Sequence, residues 1–361
     1  MGGSDVYRSD VFNVREHLQI GQVIPAHPLA LTPSRTMDEQ HQRALTRYYV
    51  AAGAGGMAVG VHTTGFPIHD PAIGLYRAVL ELAAETATMA LSDSPRPFVR
   101  VAGLIGDTAQ ALREAQVALA LGYHCGLLSL GAWRDASGAE ILAHCRRVAE
   151  AIPLFGFYLQ PAVGGRRLSY TFWREFAEIP QVVAIKVAPF DRYATLDVVR
   201  ALADAGRDDI ALYTGNDDAI VPDLVTDIPV TSGGRAYTRH FVGGLLGQWA
   251  VWTHRAVAML REVKAWRASG SNTMPRAWLT RGAALTMANA VIFDAAHGYT
   301  GCLPGILEVL RLQGLVRGTW TFDTHEQLSP GQGEAIARLS DRYPELADDA
   351  FVAENLDSWL R

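Results

Sequence analysis

A lysine set inside an apolar run has the clearest chemical potential in this 361-residue sequence. Lys186 stands in Val182-Val-Ala-Ile-Lys186-Val, with aliphatic neighbours on both sides. An ammonium is costly to bury. Such a position favours the neutral amine, which can attack a carbonyl carbon and form a Schiff base. The position suits equally a lysine that points to solvent at a strand end or pairs with a carboxylate. Of the 32 basic residues only one other is lysine, Lys264 in Arg-Glu-Val-Lys-Ala-Trp, whose charged neighbours predict a solvated helix face. The thirty arginines read as coding bias, but they leave imine chemistry essentially one place to occur.

Other residues could serve such a reaction. Tyr158 lies 28 positions before Lys186, where a phenol could carry protons during carbinolamine formation and bond cleavage; it could as well be a core tyrosine bonded to backbone. Thr63 and Thr64 with Gly65 offer two hydroxyls and a turn of backbone N–H groups, suited to a carboxylate or to an ordinary loop. Gly215 and Gly233 would let backbone approach a ligand closely, or merely turn the chain. His62, His69 and Asp70 surround Pro67 with no supporting shell, so no metal site is expected. Ser129, His124 and Asp135 lack a nucleophile elbow. The tryptophans read as core or interface anchors.

These residues need elements to hold them. Short apolar runs at 23–32, 57–62, 98–104, 125–130, 154–159, 182–187, 210–214 and 228–232 predict strands. Amphipathic stretches at 38–52, 108–121, 138–151, 169–178, 195–205 and 217–224 predict helices, two of them opening on the cap residues Asp38 and Ser169. Eight strand–helix units in this length predict a (β/α)8 TIM barrel over 22–245. An N-terminal arm, loosely ordered, is expected at 1–21 and a helical domain at 246–361. A dinucleotide-binding doubly wound sheet is excluded, because Gly53-Ala-Gly55-Gly56 precedes a strand and carries Ala58 where the last glycine belongs. In a barrel the reactive groups belong at the C-terminal strand ends, where Lys186, Tyr158, Thr63 and Gly215 fall.

Composition narrows the rest. A net charge of −5 argues against a nucleic-acid partner. No run is apolar enough to span a membrane, the start lacks a signal core, and Val6 breaks a myristoylation pattern. Cys125, Cys145 and Cys302 read as reduced, buried thiols, so a cytoplasmic location is expected.

Together these segments resemble the dihydrodipicolinate synthase/N-acetylneuraminate lyase family of class I, Schiff-base aldolases. The resemblance rests on Ile24-Pro-Ala-His-Pro-Leu-Ala-Leu-Thr-Pro33, Thr63-Thr64-Gly65, Tyr158-Leu-Gln-Pro161, Ile185-Lys186, Gly215-Asn-Asp217 and the Leu-Gln-Gly-Leu-Val stretch at 312–316, over residues 22–340. The Tyr-to-Lys spacing is its most specific element. It implies that Lys186 forms an imine with pyruvate or a related 2-oxo acid, that Tyr158 shuttles protons and that Thr63 and Thr64 hold the carboxylate. It also implies that no metal or organic cofactor is needed and that the chain assembles as a homo-oligomer, a dimer or tetramer. Aldol cleavage or addition is the leading reaction. Dehydration of a sugar acid by the same imine, or a ligand-binding barrel without catalysis, are the alternatives.

The sequence also departs from the family pattern. His62 and Phe66 replace a glycine and a glutamate around the threonine pair, and Trp133 stands where a tyrosine is lent across a dimer. Val163 takes the place of the arginine that grips an aldehyde's carboxylate in the synthases. The departures weigh against a true dihydrodipicolinate synthase and imply a different acceptor, aromatic or less charged.

Overall fold

The structure, a computed structural model, describes residues 12–361. Its strands are β1 Val23–Pro25, β2 Gly56–Val59, β3 Val99–Leu104, β4 Cys125–Leu128, β5 Leu154–Leu159, β6 Val182–Ala188, β7 Ala211–Thr214, β8 Ile228–Ser232, β9 Arg235–Arg239 and β10 Gly243–Leu246. Eight of them form one parallel sheet in the order β1-β10-β7-β6-β5-β4-β3-β2. A parallel bridge between Ala26 and Ala58 brings its two edges together, with His27 N–H donating to the Ala58 carbonyl at 2.8 Å. The result is a nearly closed (β/α)8 barrel with flanking helices and a helical C-terminal region. Helices on the outer face open as expected: Asp38 caps Glu39–Ala51 and Ser169 caps Tyr170–Phe176, each accepting a backbone N–H three residues on.

Two layers of side chains follow from strand alternation. Ile24, Ala58, Val101, Leu127, Phe155 and Leu245 fill the barrel interior. Leu154, Tyr158, Ile185 and Val187 face outward and pack under the helices.

The eighth barrel strand is not the expected one. Residues 228–232 form β8 of an antiparallel hairpin with β9, turned by Gly233 and Gly234, both at positive φ. Two glycines at such angles make the tight turn that hairpins favour. The barrel is completed instead by β10, which pairs with both β1 and β7.

The expected arm also needs correction. Its residues 1–11 lie outside the described part, but Val14–Gln19 is a helix capped by the Asn13 side chain. Leu18 is fully buried in the interior layer, and Arg15 donates to the carbonyls of Val182 at 3.0 Å and Pro180 at 2.9 Å. This helix plugs the end of the barrel opposite the strand C-termini. Lys264 is likewise not a free surface residue: half-buried on helix Thr253–Ala268, its Nζ donates to the Gly21 carbonyl at 2.5 Å.

The C-terminal helices fold back onto the barrel. Tyr48, on the outer helix Glu39–Ala51, donates its hydroxyl to Asp348 at 2.8 Å. Segment 293–306 brings Phe293, Tyr299, Cys302 and Ile306 over the strand C-termini.

Candidate active site

Lys186 is in register with Phe157 on β5 and Tyr213 on β7, and its side chain is 7% exposed. It shares a small cavity of about 50 Å³ at the C-terminal mouth of the barrel with His62, Thr63, Gln160, Gly215, Asp217 and Tyr299. Its Nζ lies 4.6 Å from the centre of the Phe157 ring, within cation–π range. Gly215 makes room for the lysine stem. A Cβ there would come within 2.8 Å of Lys186 Cε and 3.0 Å of Cγ.

The carboxyl group of this cavity was not singled out in the sequence. Asp217 follows β7 by three residues, and its Oδ1 accepts the Gln248 backbone N–H at 3.0 Å. Burial raises its pKa, against the pull of that hydrogen bond and of the Lys186 charge. Burial lowers the pKa of Lys186, opposed by the Asp217 charge. Both shifts favour the uncharged forms of the two groups. Burial and the nearby Lys186 charge also hold His62 neutral, at about 4.

Tyr158 is not at this site. Its hydroxyl donates to the Leu168 carbonyl at 3.2 Å and accepts the Leu168 N–H at 3.3 Å, while its ring packs 5.3 Å from Trp173 on the outer face. β5 alternates regularly, with Leu154 and Tyr158 outward and Phe155 and Phe157 inward, whereas β6 carries one extra residue, so the partner of Lys186 is 29 positions earlier and not 28. The extra residue on β6 turns Lys186 to the inner face that Phe157 shares, while Tyr158 faces the helices.

The hydroxyls of the threonine pair have backbone partners. Thr64 Oγ1 donates to the His27 carbonyl at 2.7 Å and accepts the N–H groups of Gly60 at 3.0 Å and Val61 at 3.2 Å. Thr63 Oγ1 donates to the Ala26 carbonyl at 2.7 Å. Both hydroxyl protons therefore fasten β2 to β1 where the sheet closes through a single bridge, and neither is available to a carboxylate. Thr63 still lines the lysine cavity, whereas Thr64 and Gly65 line an adjoining outer chamber of about 500 Å³. Gly233, at the exposed hairpin tip, lines neither.

His69 is a structural residue, with Nε2 2.7 Å from the Gly60 carbonyl and Nδ1 3.0 Å from Glu114. Among the described residues no group of three or more His, Cys, Asp or Glu side chains is placed to hold a metal ion. The departures seen in the sequence are distributed as follows. His62 and Val163 line both chambers and Phe66 the outer one, while Trp133 donates to the Gly106 carbonyl at 3.1 Å, away from them.

No family model matches the chain. Curated relatives do. The chain is 27% identical to 4-hydroxy-tetrahydrodipicolinate synthase of Mycolicibacterium gilvum (strain PYR-GCK) over 255 residues, 70% of this chain and 74% of that protein. Solved structures share its fold. A prophage protein of the dihydrodipicolinic acid synthase family from E. coli K12, in complex with pyruvate, superposes with a TM-score of 0.68 at 16% identity, covering 90% of this chain and 98% of that one. N-acetylneuraminate lyase from Fusobacterium nucleatum does so with a TM-score of 0.67 at 16% identity, covering 90% and 99%.

Proposed function

The chain belongs to the dihydrodipicolinate synthase/N-acetylneuraminate lyase family, and from that premise we propose that it is a Schiff-base-forming lyase acting on pyruvate or another 2-oxo acid. The observation that carries the reading is Lys186, buried at the C-terminal end of β6 in a cavity shared with one carboxyl group.

The Lys186 amine, favoured in its neutral form by burial, attacks the C2 carbonyl of the keto acid. The carbinolamine loses water when its hydroxyl takes a proton, and Asp217 in its acid form supplies one. The resulting carboxylate removes a proton from C3 of the iminium and leaves an enamine. The enamine carbon then bonds to an aldehyde, or in reverse the C3–C4 bond breaks to give it. Asp217 thus takes the proton-carrying role that the family resemblance implies for Tyr158, and Gly215 keeps the lysine stem in line. His62, Gln160 and Tyr299 are neutral groups of the cavity suited to the keto-acid carboxylate.

Exchange of the pyruvate methyl protons with deuterated water, followed by NMR, tests both roles. The wild-type protein exchanges them and Lys186→Ala does not. Asp217→Asn still forms the imine but exchanges about 10²–10⁴-fold more slowly, the usual worth of a general base. Exchange that persists in Lys186→Ala would refute the proposal.

A further inference from the structure

We infer that the outer chamber receives the aldehyde partner of the reaction, and that this aldehyde is aromatic or otherwise apolar and carries no carboxylate. The inference rests on the imine reading of Lys186 for its chemistry and on the charge of the chamber for its selectivity.

The two cavities share His62, Thr63, Val163 and Tyr299, so the outer one adjoins the place where an enamine on Lys186 would react. Aromatic rings help line it, with Phe66, Trp320 and Phe322 on its walls. Its acidic side chains are the wrong kind to receive an anion. Asp323 and Glu326 line it, and Asp217 lines the inner cavity. Apart from Lys186, which the imine consumes, the basic side chains lining either cavity among the described residues are His62 and His325.

Arg166 and Arg167 nearby are engaged elsewhere. Arg166 donates to the carbonyls of Trp133 and Ala136. Arg167 is 80% exposed and pairs with Asp191. Arg35 is not among the lining residues and gives its Nε–H to the Thr321 carbonyl at 2.9 Å. A carboxylate on the aldehyde would be desolvated beside acidic groups with no lysine or arginine in the outer chamber's lining, among the described residues, to meet it. An aromatic ring would find flat apolar partners.

The reaction balances without another reagent. Pyruvate C3 loses a proton and bonds to the aldehyde carbon, the aldehyde oxygen gains a proton, and water releases the 4-hydroxy-2-oxo acid from Lys186. Cleavage is the reverse.

The test uses the full chain with pyruvate and three aldehydes: benzaldehyde, 4-formylbenzamide and 4-formylbenzoate. The last two match in shape and differ in charge. Benzaldehyde and the amide are expected to show kcat/KM at least tenfold above the carboxylate, and Glu326→Arg to shrink that ratio while leaving imine formation with pyruvate unchanged. Equal or better use of the carboxylate overturns the inference. So does failure to consume any of the three by a protein whose imine with pyruvate is trapped. Calorimetric titration of the amide and the carboxylate into Lys186→Ala reads the chamber without the imine. Preference for the amide supports the inference even if the lysine reading fails, and preference for the carboxylate or parity overturns it.

Discussion

Gly215→Ala tests whether the glycine at the end of β7 sets the position of the reactive lysine. The added Cβ would stand 2.7 Å from Ala188 Cβ, 2.8 Å from Lys186 Cε and 3.0 Å from Lys186 Cγ, where ordinary contact begins at 3.4 Å. Ala188 Cβ is fixed to the β6 backbone, so most of the relief must come from the lysine stem. Its displacement is on the order of 1 Å, enough to cost about 10²-fold in a reaction that depends on alignment. Overpacking of this kind also destabilises the fold by about 1–3 kcal/mol. The assay is the initial rate of borohydride trapping with pyruvate, read by mass spectrometry beside a thermal melt. Gly233→Ala is the control. That residue sits at φ +55 with nothing within 4 Å of an added Cβ, so the substitution costs about 1–2 kcal/mol of backbone strain and leaves trapping unchanged. Trapping by Gly215→Ala within threefold of wild type would refute the positioning argument.

Tyr158→Phe removes a hydroxyl bonded only to the Leu168 backbone, so stability falls by about 0.5–1.5 kcal/mol while deuterium exchange stays near wild type; a hundredfold loss of exchange would return the proton role to this residue. Thr64→Val leaves Gly60 N–H, Val61 N–H and the His27 carbonyl without their partner, and chemical denaturation should show a loss of roughly 3 kcal/mol or more; a loss under about 1 kcal/mol would contradict the closure argument. Acid should destabilise the protein through His27, fully buried and held by desolvation at about 4. Its folded pKa lies below the unfolded value of about 6.5, so the unfolded chain takes up the proton first as pH falls. Stability from this residue is therefore intact above about pH 6.5, down by about 2 kcal/mol at pH 5, and fully lost near its folded pKa. Melting at pH 5 equal to or above that at pH 7 would contradict the assignment.

The barrel was legible because its strands are continuous apolar runs punctuated by capped helices, and 154–159 matches β5 as observed. Lys186 was legible for the same reason, as one polar residue in an apolar strand. The position of Tyr158 was not. Phe155-Gly-Phe157-Tyr158-Leu159 is apolar on both faces, so no alternation marks which side looks inward. The extra β6 residue that turns Lys186 toward Phe157 is a tertiary event with no sequence signal. The last barrel strand was missed because Gly243-Gly-Leu-Leu246 has little β character, whereas the hairpin strand Ile228-Pro-Val-Thr-Ser232 has more. The Gly233-Gly234 pair was the available clue to a hairpin. Asp217 looked like one polar residue of a turn among several, and Tyr299 comes from a region more than a hundred residues after Lys186.

The central claim is that a buried amine on β6 carries the reaction. Its most direct measurement is borohydride reduction of the protein with pyruvate, followed by peptide mapping. One reduced pyruvyl adduct on Lys186, absent from Lys186→Ala, is the predicted result. No adduct, or an adduct confined to Lys264 or the chain's amino group, would contradict the account.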